Sequence, residues 1–211
     1  MSGTGSRSEE GYLLLADISG YTAFMTAVGE AHGVDFSAGI PPAFALMAAL
    51  LDVVADNLTG RFSVAKLEGD AVFAVAPADM LDGHGTEVVG DLKRTYSRFL
   101  DVRGEASPAA HNHNCTACPL ISNLDLKMFL HEGSFVHQEI YGRTELLGPA
   151  VNLVHRLLKN SIQAQVGHRH YLYLTDAAAA RLRITDAGTG HVEEYADAGP
   201  VSGRVMDLAS A

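Results

Sequence analysis

The chain has 211 residues, 47% of them hydrophobic and 19% charged, and its formal net charge is -10 from 15 basic and 25 acidic residues. This balance excludes a disordered chain, and no block of Lys and Arg is long enough to track a phosphate backbone, so no nucleic-acid partner is expected. Two cysteines spaced as CxxC, Cys115 and Cys118, exclude a disulfide framework and turn the question to metal or redox chemistry.

In chain order, residues 1–10 are polar and lack the apolar core of a signal peptide, which reads as a flexible tail ahead of one domain over 11–211. The longest apolar stretch, 43–51, is too short to span a bilayer, so no membrane partner is expected and the location reads as cytoplasmic. Tyr12 to Ala16 is a short apolar run with a turn signal behind it, the pattern of a fully buried strand. Residues 39–58 start on Pro41 and Pro42 and carry Leu46, Leu50, Val53, Val54 and Leu58 at helical spacing. Residues 61–77 read as a hairpin turning around Leu67 to Gly69. A helix over Thr86 to Val102 is expected next, then an insertion loop over about 103–120, where Gly, Pro, Asn, His and Cys crowd together. "LDLKMFLHEG" and "SFVHQEIYG" read as a second strand pair turning at Gly133, with His131 and His137 as partly exposed strand residues flanking it. A helix over Pro149 to Asn160, a strand at "HYLYLT", a short helix over the alanines at 177–180, and strands near Val192 and over Arg204 to Leu208 complete the pattern. Adjacent strand pairs predict an α+β fold, a mostly antiparallel sheet with helices packed on it.

Three stretches place polar residues at the edge of apolar elements, which a fold tolerates only when something satisfies them. Asp17 ends the first strand and Asp70 lies at the hairpin; two converging carboxylates repel, and a pair of Mg or Mn ions is a natural way to keep both ionised. The amides of Gly20, Tyr21 and Thr22 present donors to an anion if they open a helix or turn, and phosphate is the obvious one. Asn152 and Arg156, four apart, project from one helix face, where an Arg meets a phosphoryl group bidentately and an Asn orients a sugar oxygen. Alone, Asp17 reads as a cap or turn residue, Glu68 and Gly69 as the hairpin turn, and Arg156 as one half of a surface ion pair; it is the ordered set that favours metal and phosphate.

That ordered set resembles the catalytic domain of the class III adenylyl and guanylyl cyclases, whose patterns F-x-D-I-x-x-F-T, K-x-x-G-D and V-N-x-x-x-R stand here as "LADISGYT", "KLEGD" and "VNLVHR". The likeness covers roughly residues 11–160, with a weaker tail to 208, and "HRLLKN" with the cysteine loop is similar to an uncharacterised branch, a domain of unknown function. The resemblance implies the ferredoxin-like cyclase fold. It also implies that Asp17 and Asp70, helped by the Ile18 carbonyl, bind two Mg or Mn ions, and that Lys66 and Glu145 read the base. Asn152 would align the ribose, and Arg156 would neutralise the α-phosphate. The implied reaction is ATP to 3',5'-cyclic AMP and pyrophosphate, GTP being the less favoured substrate, at a site shared between the two copies of a homodimer.

Departures keep a second reading open, a nucleotide-binding or signalling module of the same fold with weak or no turnover. Glu145 is a methylene longer than the family's Asp, and Ser202 stands where the family has a phosphate-contacting lysine. Arg204, two residues on and on the same face of a strand, is the candidate substitute. In the loop, His111, His113, Cys115 and Cys118 are enough in number for a structural zinc. A single CxxC lacks a distant second pair, so zinc and an unliganded loop both stay open, with a redox sensor behind them.

Overall fold

The computed structural model describes residues 6–33, 39–109, 116–196 and 198–210. One eight-stranded sheet organises them, in the order β2-β3-β1-β4-β6-β8-β7, with β5 paired to β4. Its strands are β1 (Arg7–Ser19), β2 (Ser63–Glu68), β3 (Ala71–Pro77), β4 (Asp125–Ile140), β5 (Arg143–Leu147), β6 (Tyr171–Thr175), β7 (Thr189–Tyr195) and β8 (Gly199–Asp207). Only β4 and β6 run parallel; the other pairings are antiparallel. The fold is α+β, as the adjacent strand pairs imply.

The sheet is covered on both faces. On one lie α1 (Tyr21–His32), α2 (Pro42–Leu58), α4 (Gly85–Ala109) and α7 (Asp176–Leu182); on the other lie α5 (Pro149–Arg156) and α6 (Ile162–Val166). A one-turn helix, α3 (Ala78–Leu81), follows β3. Strand alternation splits β1 between the two cores. Tyr12, Leu14, Ala16 and Ile18 face the four-helix layer, and Leu13 and Leu15 face α5, which is why the run has no polar interruption before Asp17.

Four expectations change. The strand begins at Arg7, inside the stretch read as a tail, because residues 7–10 pair with 134–137 of β4. Helix α4 continues to Ala109, into the expected loop, and a 3-10 helix spans Cys118–Asn123. Gly133 is no turn: β4 is one 16-residue strand, paired with β1 along most of its length. The glycine serves close approach instead, since a Cβ there would stand 2.8 Å from Ala150 Cβ of α5. The hairpin turn is at Tyr141 and Gly142, both at positive φ (52° and 70°) between the paired Ile140 and Arg143. Helix α5 ends at Arg156 rather than Asn160, whose side-chain amide donates to the Leu157 carbonyl at 2.7 Å while its oxygen accepts from Ile162 N and Tyr171 Oη.

Candidate functional site

The end of β1 and the turn between β2 and β3 are tied by backbone. Ile18 N donates to the Asp70 carbonyl at 3.0 Å, and Asp17 sits opposite Ala71 on β3 and Lys127 on β4. This brings the two acids into electrostatic contact. Burial, and then the Asp17 charge, pushes the Asp70 carboxyl above the usual range, with Lys127 offsetting part of it. Lys127 Nζ lies 3.2 Å from Asp17 Oδ2. Ile18 itself is buried in the core.

Behind Asp17 the chain turns into α1 at Gly20, which takes a left-handed conformation (φ 88°). No side chain caps the helix, so the first-turn amides at Tyr21 and Thr22 are not taken by one. A Cβ on Gly20 would stand 2.7 Å from the Asn123 carbonyl oxygen, so only glycine fits this tight corner.

Lys66 and Glu145 also meet. Lys66 Nζ lies 2.8 Å from Glu68 Oε1 and 3.6 Å from Glu145 Oε2, and hydrogen bonding to Glu68 with the added Glu145 charge raises its pKa. Glu68 is more than a turn residue, because its second oxygen accepts from His155 Nε2 at 2.7 Å and so joins β2 to α5. Burial favours its neutral form, but the bonds from Lys66 and His155 outweigh that and hold the carboxyl low. His155 lies on α5 between Asn152 and Arg156, both exposed, and its other nitrogen faces the Val151 carbonyl at 2.8 Å.

Asn152 and Arg156 open onto a cleft of about 590 Å³ lined also by His131, Ser134, Pro149 and Ala150. Neither Asp17 nor Asp70 lines it. His131 corrects the expectation of a partly exposed residue. It is 9% exposed, bonded through Nδ1 to Thr175 Oγ1 at 3.0 Å, and burial pushes its pKa down to about 4. His137 instead pairs with Glu9 at 2.9 Å.

Two comparisons of sequence decide the family. Residues 47–166 match the model described as "Protein of unknown function (DUF2652)". The chain is also 33% identical over 166 residues to "Uncharacterized protein Rv2561/Rv2562" of Mycobacterium tuberculosis (strain ATCC 25618 / H37Rv), covering 78% of this chain and 74% of that protein. The chain belongs to the DUF2652 family. In structure, this DUF2652 chain is similar to the guanylyl cyclase Cya2 (TM-score 0.66, 14% identity, 98% of this chain and 100% of that one). It is equally similar to the adenylyl cyclase CyaB from P. aeruginosa (0.65, 13%, 96% of each). A bacterial light-regulated adenylyl cyclase matches at 0.63 and 15% over 98% of this chain, which spans about half, 54%, of that longer protein. The shared property is the fold, that of the class III cyclase catalytic domain.

The remaining positions separate from the cleft. On β8, Val201 and Val205 pack in the α5-side core, so Ser202 and Arg204 face the opposite side of the sheet. They line another cleft with Gln165, Asp176 and His191, and Arg204 Nη1 donates to the Ala187 carbonyl at 3.3 Å. His111, His113 and Cys115 lie outside the described residues, while Cys118 is half-buried at the start of the 3-10 helix. No helix among the described residues is long and apolar enough to cross a membrane.

The sequence reading missed Lys127, Glu68, His155 and His131. Lys127 was open to discovery once β1 and β4 were paired, since it falls opposite Asp17. The other three depend on which helix covers which face, and no local pattern carries that.

Proposed function

We propose that this chain is a nucleotidyl cyclase that forms 3',5'-cyclic AMP and pyrophosphate from ATP at a site completed by a second copy, in the cytoplasm. The observation that carries the reading is the convergence of Asp17 and Asp70 through the Ile18 to Asp70 backbone bond, on acids whose mutual repulsion is already felt at Asp70. Two carboxylates and a main-chain carbonyl are hard oxygen donors, and they fit Mg or Mn. When bound there, such ions supply activation of the ribose 3'-hydroxyl and charge neutralisation on the leaving pyrophosphate.

The chain's own groups take the other parts. The Gly20, Tyr21 and Thr22 amides receive phosphate oxygens at the head of α1. In the second copy, Lys66 donates to a ring nitrogen of adenine and Glu145 accepts from its amino group, with Glu68 and His155 fixing the lysine relative to α5. Asn152 orients the ribose and Arg156 meets the α-phosphoryl oxygens as the 3'-oxygen bonds to the α-phosphorus and the bond to the β-phosphate oxygen breaks. The hydroxyl proton leaves to solvent. No covalent intermediate forms on the chain.

A second reading is favoured by Lys127 and Arg204. Lys127 already gives Asp17 a cation, and Arg204 faces away from the Asn152 cleft, so the fold would bind a nucleotide without turning it over. Incubating the purified chain with ATP or GTP and Mn or Mg separates the two. Cyclic nucleotide that disappears in Asp17→Ala and Asp70→Ala supports the enzyme; nucleotide binding with no product in any metal supports the module.

A further inference from the structure

At the entrance to β6, His168 and His170 flank Arg169, and their rings stack at 4.4 Å with 21° between planes. Asp207, near the end of β8, is opposite Tyr171 in the ladder and so comes up beside them. One ligand atom from each of His168, His170 and Asp207 lies within 4.8 Å of the other two. The three come from two segments that only the β6 and β8 pairing joins.

Two details make this more than proximity. His170 Nδ1 donates to Asp125 Oδ2 at 2.9 Å, and Asp125 is itself fixed by the Leu126 amide on its other oxygen. That fixes the tautomer and turns Nε2 towards Asp207 Oδ1 at 3.6 Å, too long for a hydrogen bond and suited to two ligands of one ion. The second detail is His168 Nδ1, a buried nitrogen with no hydrogen-bond partner, the one such side-chain atom among the described residues. Native folds rarely leave a buried polar atom unmatched, and an unmatched imidazole nitrogen in a cluster of ligands points to a ligand. Tyr96 stacks on the His170 ring at 5.6 Å and braces it from α4.

We propose that His168, His170 and Asp207 hold one divalent first-row transition ion, zinc by ligand type, with Asp125 as the residue that orients His170. Two imidazoles and one carboxylate suit zinc far better than Mg or Ca, which take oxygen donors. Three protein ligands leave a fourth position for water. The ion clasps the start of β6 to the end of β8. Arg169, held between the two ligands, donates to the Asn123 carbonyl at 3.2 Å, the same carbonyl that crowds Gly20, so the clasp also firms the corner at the head of α1. This site is separate from Asp17 and Asp70 and stands whether or not the chain turns over nucleotide.

The test uses the full chain with Cys115→Ser and Cys118→Ser, so that the cysteine loop contributes no thiolate, stripped with chelator and titrated with Co²⁺ and then Zn²⁺. The expected result is one Co²⁺ per chain with visible d–d absorption, displaced by Zn²⁺, and a raised Tm. His168→Ala and His170→Ala each weaken binding at least roughly 100-fold, whereas Asp17→Asn with Asp70→Asn leaves it unchanged. Retention of full affinity in the two His variants, or no Co²⁺ absorption at all, overturns the proposal. Should the variants fail to fold, ¹⁵N shifts of the His168 and His170 rings on Zn²⁺ addition decide instead: shifts at both rings support the site, and none at either removes it.

Discussion

Glu145 Oε2 lies 3.6 Å from Lys66 Nζ, although β5 hangs from β4 and β2 forms the far edge of the sheet. The pair offers a donor and an acceptor side by side, the complement of adenine's ring nitrogen and amino group. Lys66→Ala is expected to lower kcat/KM for ATP by about 10–100-fold, mainly through KM, since a buried base left without its partner loses binding in that range. Glu145→Gln, which can both donate and accept, is expected to narrow the preference for ATP over GTP. Parallel assays with both nucleotides read each outcome, and an unchanged ratio in both variants removes the pair from base recognition.

The acids make a prediction in two directions. Burial and the Asp17 charge disfavour the ionised Asp70 side chain, so without metal the site costs stability. Asp70→Asn is expected to raise the Tm of the metal-free chain by roughly 1–3 °C, the scale of a few tenths to one kcal/mol in a chain of this size. The same change is expected to cut cyclase activity by at least about 100-fold, as losing one preorganised electrostatic group does. Thermal melts with and without Mn, beside the activity assay, check both halves.

His131 should mark the stability curve with pH. Its folded pKa of about 4 lies below the free value of 6.5, so on acidification the unfolded chain takes up the proton first. The neutral ring's contribution is therefore complete above pH 6.5 and is lost as pH falls towards 4, at no more than about 1.4 kcal/mol per pH unit. His131→Gln keeps a hydrogen bond to Thr175 within reach and removes the titration. Urea midpoints at pH 7 and pH 5 are expected to differ less in the variant than in the parent chain.

What the sequence made legible follows from the range of each interaction. The buried run of β1 and the hairpin at 63–77 are local patterns of alternation and turn chemistry, and both were readable. The acids, Lys66, Asn152 and Arg156 stand out as candidates because three spaced motifs keep their order. Helix α1 was not assigned, having only Phe24 and Val28 buried and no capping side chain at its start. Gly133 was misread because a glycine that permits close packing and one that permits a turn look alike until the partner element is known. The Glu68 to His155 link and the His168, His170 and Asp207 group join segments far apart in the chain, and only the sheet order brings them together.

Gly133 gives its own test. With a Cβ at that position 2.8 Å from Ala150 Cβ, a side chain must push α5 off the sheet. Gly133→Val is expected to destabilise by about 1–3 kcal/mol, and it displaces the helix that carries Asn152 and Arg156. A denaturant melt reads the first effect, and a loss of activity larger than the unfolded fraction explains reads the second.

The division of labour between copies yields the sharpest outcome. Neither Asp17 nor Asp70 lines the cleft of Asn152 and Arg156, and in the proposed arrangement the acids come from one copy and the α5 pair from the other. Asp17→Asn and Arg156→Ala homodimers should each be inactive, the first lacking the Asp17 carboxylate at both sites and the second lacking the arginine at both. Mixed in equal amounts and allowed to exchange, half the dimers carry one of each, and such a dimer has one site with both defects and one with neither. Activity should then return to about a quarter of the parent level, as two-fold symmetry and random pairing require. A mixture that stays as inactive as its parts, while light scattering reports dimers that exchange, places the acids and the arginine of one site in the same chain and overturns the shared arrangement.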